Sequence, residues 1–199
     1  MILRDLHGRF VHGPRVHVLA GHLGEAIPRG ASVLDVGCGD GALASELLAL
    51  RPDLEIHGID VVVRDDTAIP VEPFDGSRIP APEGSYDVIL FVDVLHHTED
   101  PRVLLREARR VCRGCIVIKD HNRNGFLAGP TLRFMDWVGN RPDQIALPYN
   151  YWPRERWRRA FRELRLEVVS WNEKLSLFRP PGDWVFGRSL HFVARLVPE

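Results

Sequence analysis

The chain is poor in sulfur and carries almost no net charge. Its 199 residues include two methionines and three cysteines, and 26 basic side chains face 27 acidic ones, for a net charge of −1. An odd number of cysteines excludes a complete set of intrachain disulfides, so the fold must rest on a hydrophobic core. A balance this close to neutral gives no whole-chain attraction to nucleic acid or to an anionic membrane. No run approaches the roughly 20 apolar residues that cross a bilayer. Arg4, Asp5, His7, Arg9 and His12 break up any apolar stretch at the start, so no secretory signal is expected there and the cytoplasm is the expected compartment. Cys112 and Cys115 form a C-x-x-C, but the second pair that a zinc site needs is missing. The two thiols read as the end of a helix and the start of a strand. Repeats and low-complexity tracts are also lacking.

What is present is the patterning of one α/β domain. Hydrophobic residues make up 45% of the chain, within the globular range. Val16, Leu19, Leu23 and Ile27 recur at helical spacing over 14–27. Short apolar strands are predicted at 32–36, 54–59, 71–74, 86–92 and 115–119, with helices at 42–50 and 101–112 between them. A short helix over 131–138, a helix over 154–164 and two last strands at 166–171 and 190–196 follow. Strands alternating with helices imply a mostly parallel sheet covered on both faces. The last two strands lack a helix between them, which points to antiparallel pairing. The expectation is a single domain over 1–199, with an N-terminal helical segment at 1–28 and an insertion at 120–152.

The chemistry concentrates first in Val33-Leu34-Asp35-Val36-Gly37-Cys38-Gly39-Asp40-Gly41. Three alternate glycines at a strand-to-helix turn allow positive φ and close approach of a ligand to the backbone. A dinucleotide fingerprint is the rival reading, because Gly37, Gly39 and Ala42 satisfy its looser form. Charge separates the two. Asp35 and Asp40 oppose a pyrophosphate and suit a cationic ligand. Asp60 ends the next strand, where a carboxylate can accept hydrogen bonds from both ribose hydroxyls.

The segment from Val33 to His121 resembles the class I S-adenosylmethionine-dependent methyltransferases, in particular those acting on small molecules. Four blocks carry the resemblance: Val33 to Gly41, Gly58-Ile59-Asp60, Phe74-Asp75-Gly76, and Tyr86-Asp87-Val88-Ile89 through Leu95-His96-His97 to Arg110-Val111. The resemblance implies a Rossmann-like seven-stranded sheet with its last strand antiparallel, and S-adenosylmethionine as cofactor. It implies Asp60 at the ribose, Val61 with Val62 as a wall for adenine, and Phe74, Asp75 and Gly76 at the adenine. Asp35, Gly37, Cys38 and Gly39 would line the methionine end, and Val92 and Asp93 would cover it. The family usually has two glycines where this chain has Gly114-Cys115.

Methyl transfer requires alignment above all, and a hydroxyl acceptor gains from a general base. His121, after the fifth strand, is the favoured base, with His97 as a second candidate that the family often uses structurally. Trp137, Asn140, Tyr149 and Tyr151 in the insertion are the candidate acceptor contacts, since aromatic walls with a few polar groups describe a small-molecule pocket. Arg154, Arg156, Arg158, Arg159, Arg162 and Arg165 are interleaved with Glu155 and Glu163, which favours a solvated helix over an RNA-binding one. The expected function is methylation of a small organic acceptor, at oxygen, with no metal, nucleic acid or membrane involved. The alternatives are a noncatalytic cofactor-binding partner subunit and an RNA methyltransferase. The sequence does not specify the oligomeric state.

Overall fold

A computed structural model describes residues 13–140, 148–178, 182–187 and 189–199. The elements run α1 (Gly13–Ala26), β1 (Ser32–Val36), α2 (Ala42–Leu50), β2 (Glu55–Asp60), β3 (Val71–Pro73), β4 (Tyr86–Val92), α3 (Pro101–Val111), β5 (Cys112–His121), α4 (Ala128–Asn140), α5 (Arg154–Glu163), β6 (Leu166–Asn172) and β7 (His191–Pro198). The strands form one sheet in the order β3-β2-β1-β4-β5-β7-β6. The pairs from β3 through β5 are parallel, and β7 runs antiparallel to both of its neighbours. This is the Rossmann-like seven-stranded arrangement expected, with the last strand reversed.

Positions 88–91 of β4 and 115–118 of β5 are apolar throughout because both faces of these strands are covered. Val88, Leu90, Cys115 and Val117 face one core layer, with Leu19 and Leu23 of α1 and Leu47 of α2. Ile89, Phe91, Ile116 and Ile118 face the other, with Leu104 and Leu105 of α3 and Trp157 and Phe161 of α5. Each such side chain, fully buried, contributes roughly 1.5–3 kcal/mol against the chain entropy. α3 begins where Asp100 accepts the Arg102 N–H at 3.0 Å and Pro101 occupies the first helical turn.

Two boundaries differ from the sequence reading in ways that matter. β5 extends beyond 115–119 at both ends. At its start it pairs Tyr86 with Cys112 before a bulge. At its end the antiparallel partner carries it on to pair His121 with His191. His121 is therefore the last residue of a buried strand rather than a loop residue. α4 spans 13 residues, longer than the short helix at 131–138, because Ala128 and Leu132 find a buried seat against Tyr151 and Leu190.

The bulge also accounts for the single glycine before β5. A Cβ on Gly114 would lie 2.5 Å from the Asp87 carbonyl oxygen, whereas Cys115 already points into the core at 1% exposure. Only the first of the two positions needs glycine. Gly114→Ala should destabilise the fold by about 1–3 kcal/mol in urea unfolding, through overpacking against backbone. Gly21→Ala, where the new Cβ meets nothing within 4 Å inside α1, should be neutral or stabilising by up to about 1 kcal/mol. Equal effects of the two substitutions would contradict this packing account.

Candidate functional site

The glycine turn is closed by β2. Gly37 N–H donates to the Ile59 carbonyl at 2.7 Å, and Gly39 N–H donates to Asp60 Oδ2 at 2.8 Å. Asp60 Oδ1 takes the Val62 N–H at 3.0 Å. Gly37, Gly39 and Gly41 all have positive φ, at 76°, 63° and 74°. Their reasons differ. A Cβ on Gly37 would meet Val94 at 2.5 Å, and one on Gly41 would meet Ile69 at 2.6 Å, so these two serve the packing of the turn. At Gly39 the nearest atom is the end of the Arg64 side chain, at 3.1 Å, on the side that opens toward Asp60.

Beside the turn lies a cavity of about 200 Å³, lined by Arg15, Asp35, Gly37, Cys38, Asp40, Val92 and Asp93 among others. Of the six positions that the resemblance puts at the methionine end, all but Gly39 thus line this cavity, together with Asp40. The sequence reading missed Arg15. It sits on α1 next to Val16, reaches Asp93 Oδ2 at 3.5 Å and lies over the Phe178 ring at 5.4 Å. Its place on the amphipathic helix was legible, but no motif marks it. Asp35 is 3% exposed. Burial, reinforced by the Asp60 charge, pushes its carboxyl up to about 7. The negative charge expected of it is therefore only half developed at neutral pH until a cation arrives.

The positions expected at the nucleoside end are open to solvent. Val61 is 59% exposed and its Cγ1 would lie 3.1 Å from a Cβ on Gly76, which brings the expected adenine wall and the β3 turn side by side. Asp75 is exposed and folds that turn with Oδ1 alone, accepting from Ser77 N–H, Ser77 Oγ and Arg78 N–H at 2.7–2.8 Å. These bonds hold its carboxyl below the usual range. Phe74 is partly buried against the core.

At the carboxyl ends of β4 and β5 stands a buried charged cluster. Lys119 is fully buried and donates to Asp93. Asp93 has φ 57°, an uncommon backbone state for a residue with a side chain. Burial opposes the Asp93 charge, but Lys119, His121 and Arg15 outweigh it and hold the carboxyl well below its usual range. Asp120 accepts His96 Nδ1–H at 2.7 Å, the His121 N–H at 2.6 Å and the Leu95 N–H at 3.1 Å. His121 Nδ1 lies 3.3 Å from His96 Nδ1, 3.5 Å from Asp93 Oδ1 and 3.6 Å from Asp120 Oδ1. Burial, with His96 adding to it, lowers the His121 pKa, so the ring is neutral near pH 7. His191 packs against His121 at a ring separation of 4.9 Å.

Donor atoms of Asp93, His96 and His121 lie within 4.8 Å of one another, a spacing that would admit a cation. Yet Asp93 is already paired with both Lys119 and Arg15, two fixed cations that oppose a divalent ion there. His97 packs beside His96 with the rings tilted and 4.0 Å apart, and its N–H donates to the Val94 carbonyl at 2.9 Å. Tyr151 is buried and stacks on His96 at 5.4 Å, with Tyr149 beyond it at 6.2 Å. Tyr151 thus backs the cluster. The side chains of Trp137 and Asn140 lie outside the described ones.

The remaining sequence features resolve structurally. On α5, Arg156 covers the Trp152 ring at 4.4 Å and Arg154 the Trp171 ring at 5.4 Å, as a solvated helix over an aromatic core would have it. All three cysteines are free, and burial pushes the Cys38 thiol up to about 12 and Cys112 up to about 11, which keeps both protonated and unreactive.

Comparison with known proteins bears on the family and the fold. The profile of a methyltransferase domain family matches residues 14–171. The 2-methyl-6-phytyl-1,4-hydroquinone methyltransferase of Synechocystis sp. is 28% identical over 150 residues, covering 70% of this chain and 42% of that protein. The ubiquinone biosynthesis O-methyltransferase of Xanthomonas oryzae is 30% identical over 98 residues, covering 42% of this chain and 39% of that protein. The chain therefore spans about two fifths of the length of these relatives. In fold it is similar to an S-adenosylmethionine-dependent methyltransferase of Thermotoga maritima, described as a possible histamine N-methyltransferase, with a TM-score of 0.66, 18% identity, and 100% and 96% of the two chains covered.

Asp35 generates a sign-definite prediction. Below its pKa of about 7 the carboxyl is neutral, and above it the carboxylate attracts a cationic ligand. Affinity for S-adenosylhomocysteine, which bears an ammonium, should rise from about pH 6 to about pH 7.5 in calorimetry. Asp35→Asn should bind more weakly and without this slope. A wild-type affinity that is flat or falling across the window would rule the assignment out.

Proposed function

Since the chain belongs to the S-adenosylmethionine-dependent methyltransferases, we propose that it methylates an oxygen of a small organic acceptor, with His121 as the base. The observation that carries this reading is the setting of His121. Its Nδ1 stands between the Asp93 and Asp120 carboxylates, and its Nε2 makes no hydrogen bond among the described residues. With the ring proton on Nδ1, Nε2 presents a lone pair. Its lowered pKa keeps that lone pair available at neutral pH. A proton arriving at Nε2 makes an imidazolium, which the two carboxylates stabilise.

The cofactor supplies a methyl group on a sulfonium, and the protein's part is to align and to exclude water. Asp60 and the Gly39 backbone hold the ribose end, Asp35 the ammonium, and Arg15 the carboxylate of the methionine end. Asp93, fixed by Lys119, separates this compartment from the histidines. Tyr149 and Tyr151 are the aromatic residues on the acceptor side of the histidines. The similarity to a ubiquinone biosynthesis O-methyltransferase supports oxygen as the methylated atom, and the similarity to a hydroquinone methyltransferase supports a small aromatic acceptor.

The test is formation of S-adenosylhomocysteine with a set of alkyl hydroquinones as acceptors. His121→Gln should lower kcat by roughly 10²–10⁴-fold while cofactor affinity stays within about twofold. The acid limb of the wild-type rate should fall below the ordinary histidine range near pH 6.5, in line with the lowered pKa. Asp60→Asn should weaken cofactor binding by about tenfold or more, as one charge-assisted contact is lost. A His121→Gln enzyme with full turnover would remove the base. A chain that binds cofactor but turns over only with a second protein would favour the partner-subunit reading.

A further inference from the structure

We infer that the start of β7 carries a second small-molecule site, which binds a neutral aromatic compound through a hydroxyl that donates to His191. The site is a cavity of about 510 Å³ between the chain at 173–178 and the wide helical turn Asp183–Gly187. Small-molecule pockets run to roughly 300–1,000 Å³. Leu175 and Leu177 line it from the core, Trp184 brings an indole to it, and His191 joins them from β7. Among the described residues it shares none with the cavity beside the glycine turn.

His191 supplies the observation that asks for a ligand. It is 1% exposed. Its Nε2 lies 3.1 Å from the Phe186 carbonyl oxygen. A carbonyl only accepts, so the ring proton is on Nε2 and Nδ1 holds a lone pair. Burial holds the His191 pKa well below its ordinary value, which keeps the ring neutral. Nδ1 has no hydrogen-bond partner among the described residues. A buried acceptor left unpaired is costly, and native folds nearly always satisfy it. A hydroxyl in the cavity satisfies it, whereas an ether does not.

The rim favours an uncharged occupant. Glu173 and Asp183 both line the cavity, and both carboxylates are engaged in holding its walls. Glu173 Oε1 accepts from Trp171 Nε1 at 2.7 Å and from Asn122 Nδ2 at 3.0 Å, with Arg154 at 3.7 Å. Asp183 Oδ1 accepts the Phe178 N–H at 3.4 Å. An anion meets these two charges, and a cation finds them already partnered. Ser176 and Ser189, also in the lining, adopt φ 48° and 58°. Such backbone states cost energy and gather at ligand sites.

The cavity reaches the histidine cluster. The pairing of β5 with β7 sets His121 directly opposite His191, so the two side chains share a face of the sheet, with rings 4.9 Å apart. A ligand bonded to Nδ1 thus fixes the ring on which His121 packs. The site stands or falls without His121 acting as a base.

Calorimetric titration of the full chain with 1-naphthol, 1-methoxynaphthalene and 1-naphthoate is the test. 1-Naphthol should saturate one site, and the ether and the carboxylate should each bind about tenfold or more weakly. His191→Phe should remove the advantage of naphthol over the ether, and Trp184→Ala should weaken both about tenfold. S-adenosylhomocysteine should not compete with naphthol, and its unchanged affinity in Trp184→Ala shows that this variant folds. Should His191→Phe not fold, the comparison of naphthol with its ether on the wild type decides alone. Absence of saturable naphthol binding, equal binding of naphthol and ether by the wild type, or displacement of naphthol by S-adenosylhomocysteine overturns the proposal. Naphthol binding retained in a His121→Gln chain that has lost turnover separates this result from the catalytic one.

Discussion

The arrangement depends on a buried ion pair, Lys119 with Asp93, at the carboxyl ends of the two central strands. A fully buried ammonium is stable only beside a fixed anion, and removing one partner of such a pair costs about 3–5 kcal/mol. A buried pair is nonetheless weak evidence for stability, because well-packed apolar residues would often serve as well. Its value here is positional. It holds Asp93 in a left-handed backbone state at the edge of the cavity beside the glycine turn, and through Asp93 it fixes Arg15 of α1 on one side and His121 on the other. Two compartments share that one carboxylate.

The glycine turn looks different once its neighbours are known. Two of its glycines are required by Val94 and Ile69 rather than by any ligand. The turn is drawn tight by backbone bonds to Ile59 and by the Asp60 carboxylate, so the residue that marks the ribose end also builds the loop. The charge argument against a pyrophosphate survives in altered form. Asp35 is a carboxyl near the middle of its titration, and a cation completes its ionisation where an anion would drive it toward the neutral acid.

Much of this was legible because it is local. The strand-to-helix turn, Asp60 at a strand end and the β3 turn with Asp75 each lie within a few residues of a recognisable pattern. The alternation of apolar runs and helical periods sufficed for the sheet and its reversed last strand. The histidine cluster was not legible as a cluster. It joins Asp93 and His96 to Lys119, Asp120 and His121 through the pairing of β4 with β5, and then to His191 through β7. No spacing along the chain encodes that register. The length of β5 was underestimated for the same reason: its last two residues are held in the strand by β7, some 70 positions later in the chain. Arg15 escaped because a cation on an amphipathic helix ordinarily faces solvent.

Charge accounting links the two compartments. Asp93 pairs with Lys119 and Arg15, and Asp120 pairs with His96. A zwitterionic amino-acid end entering beside them adds one charge of each sign. Binding of a cation is coupled to the ionisation of Asp35, so the cavity side of the cluster changes its charge as the ligand enters. On the other side of Asp93, a proton on His121 would sit within about 3.6 Å of two carboxylates, Asp93 and Asp120. The two changes of charge are thus separated by the one carboxylate that Lys119 holds in place.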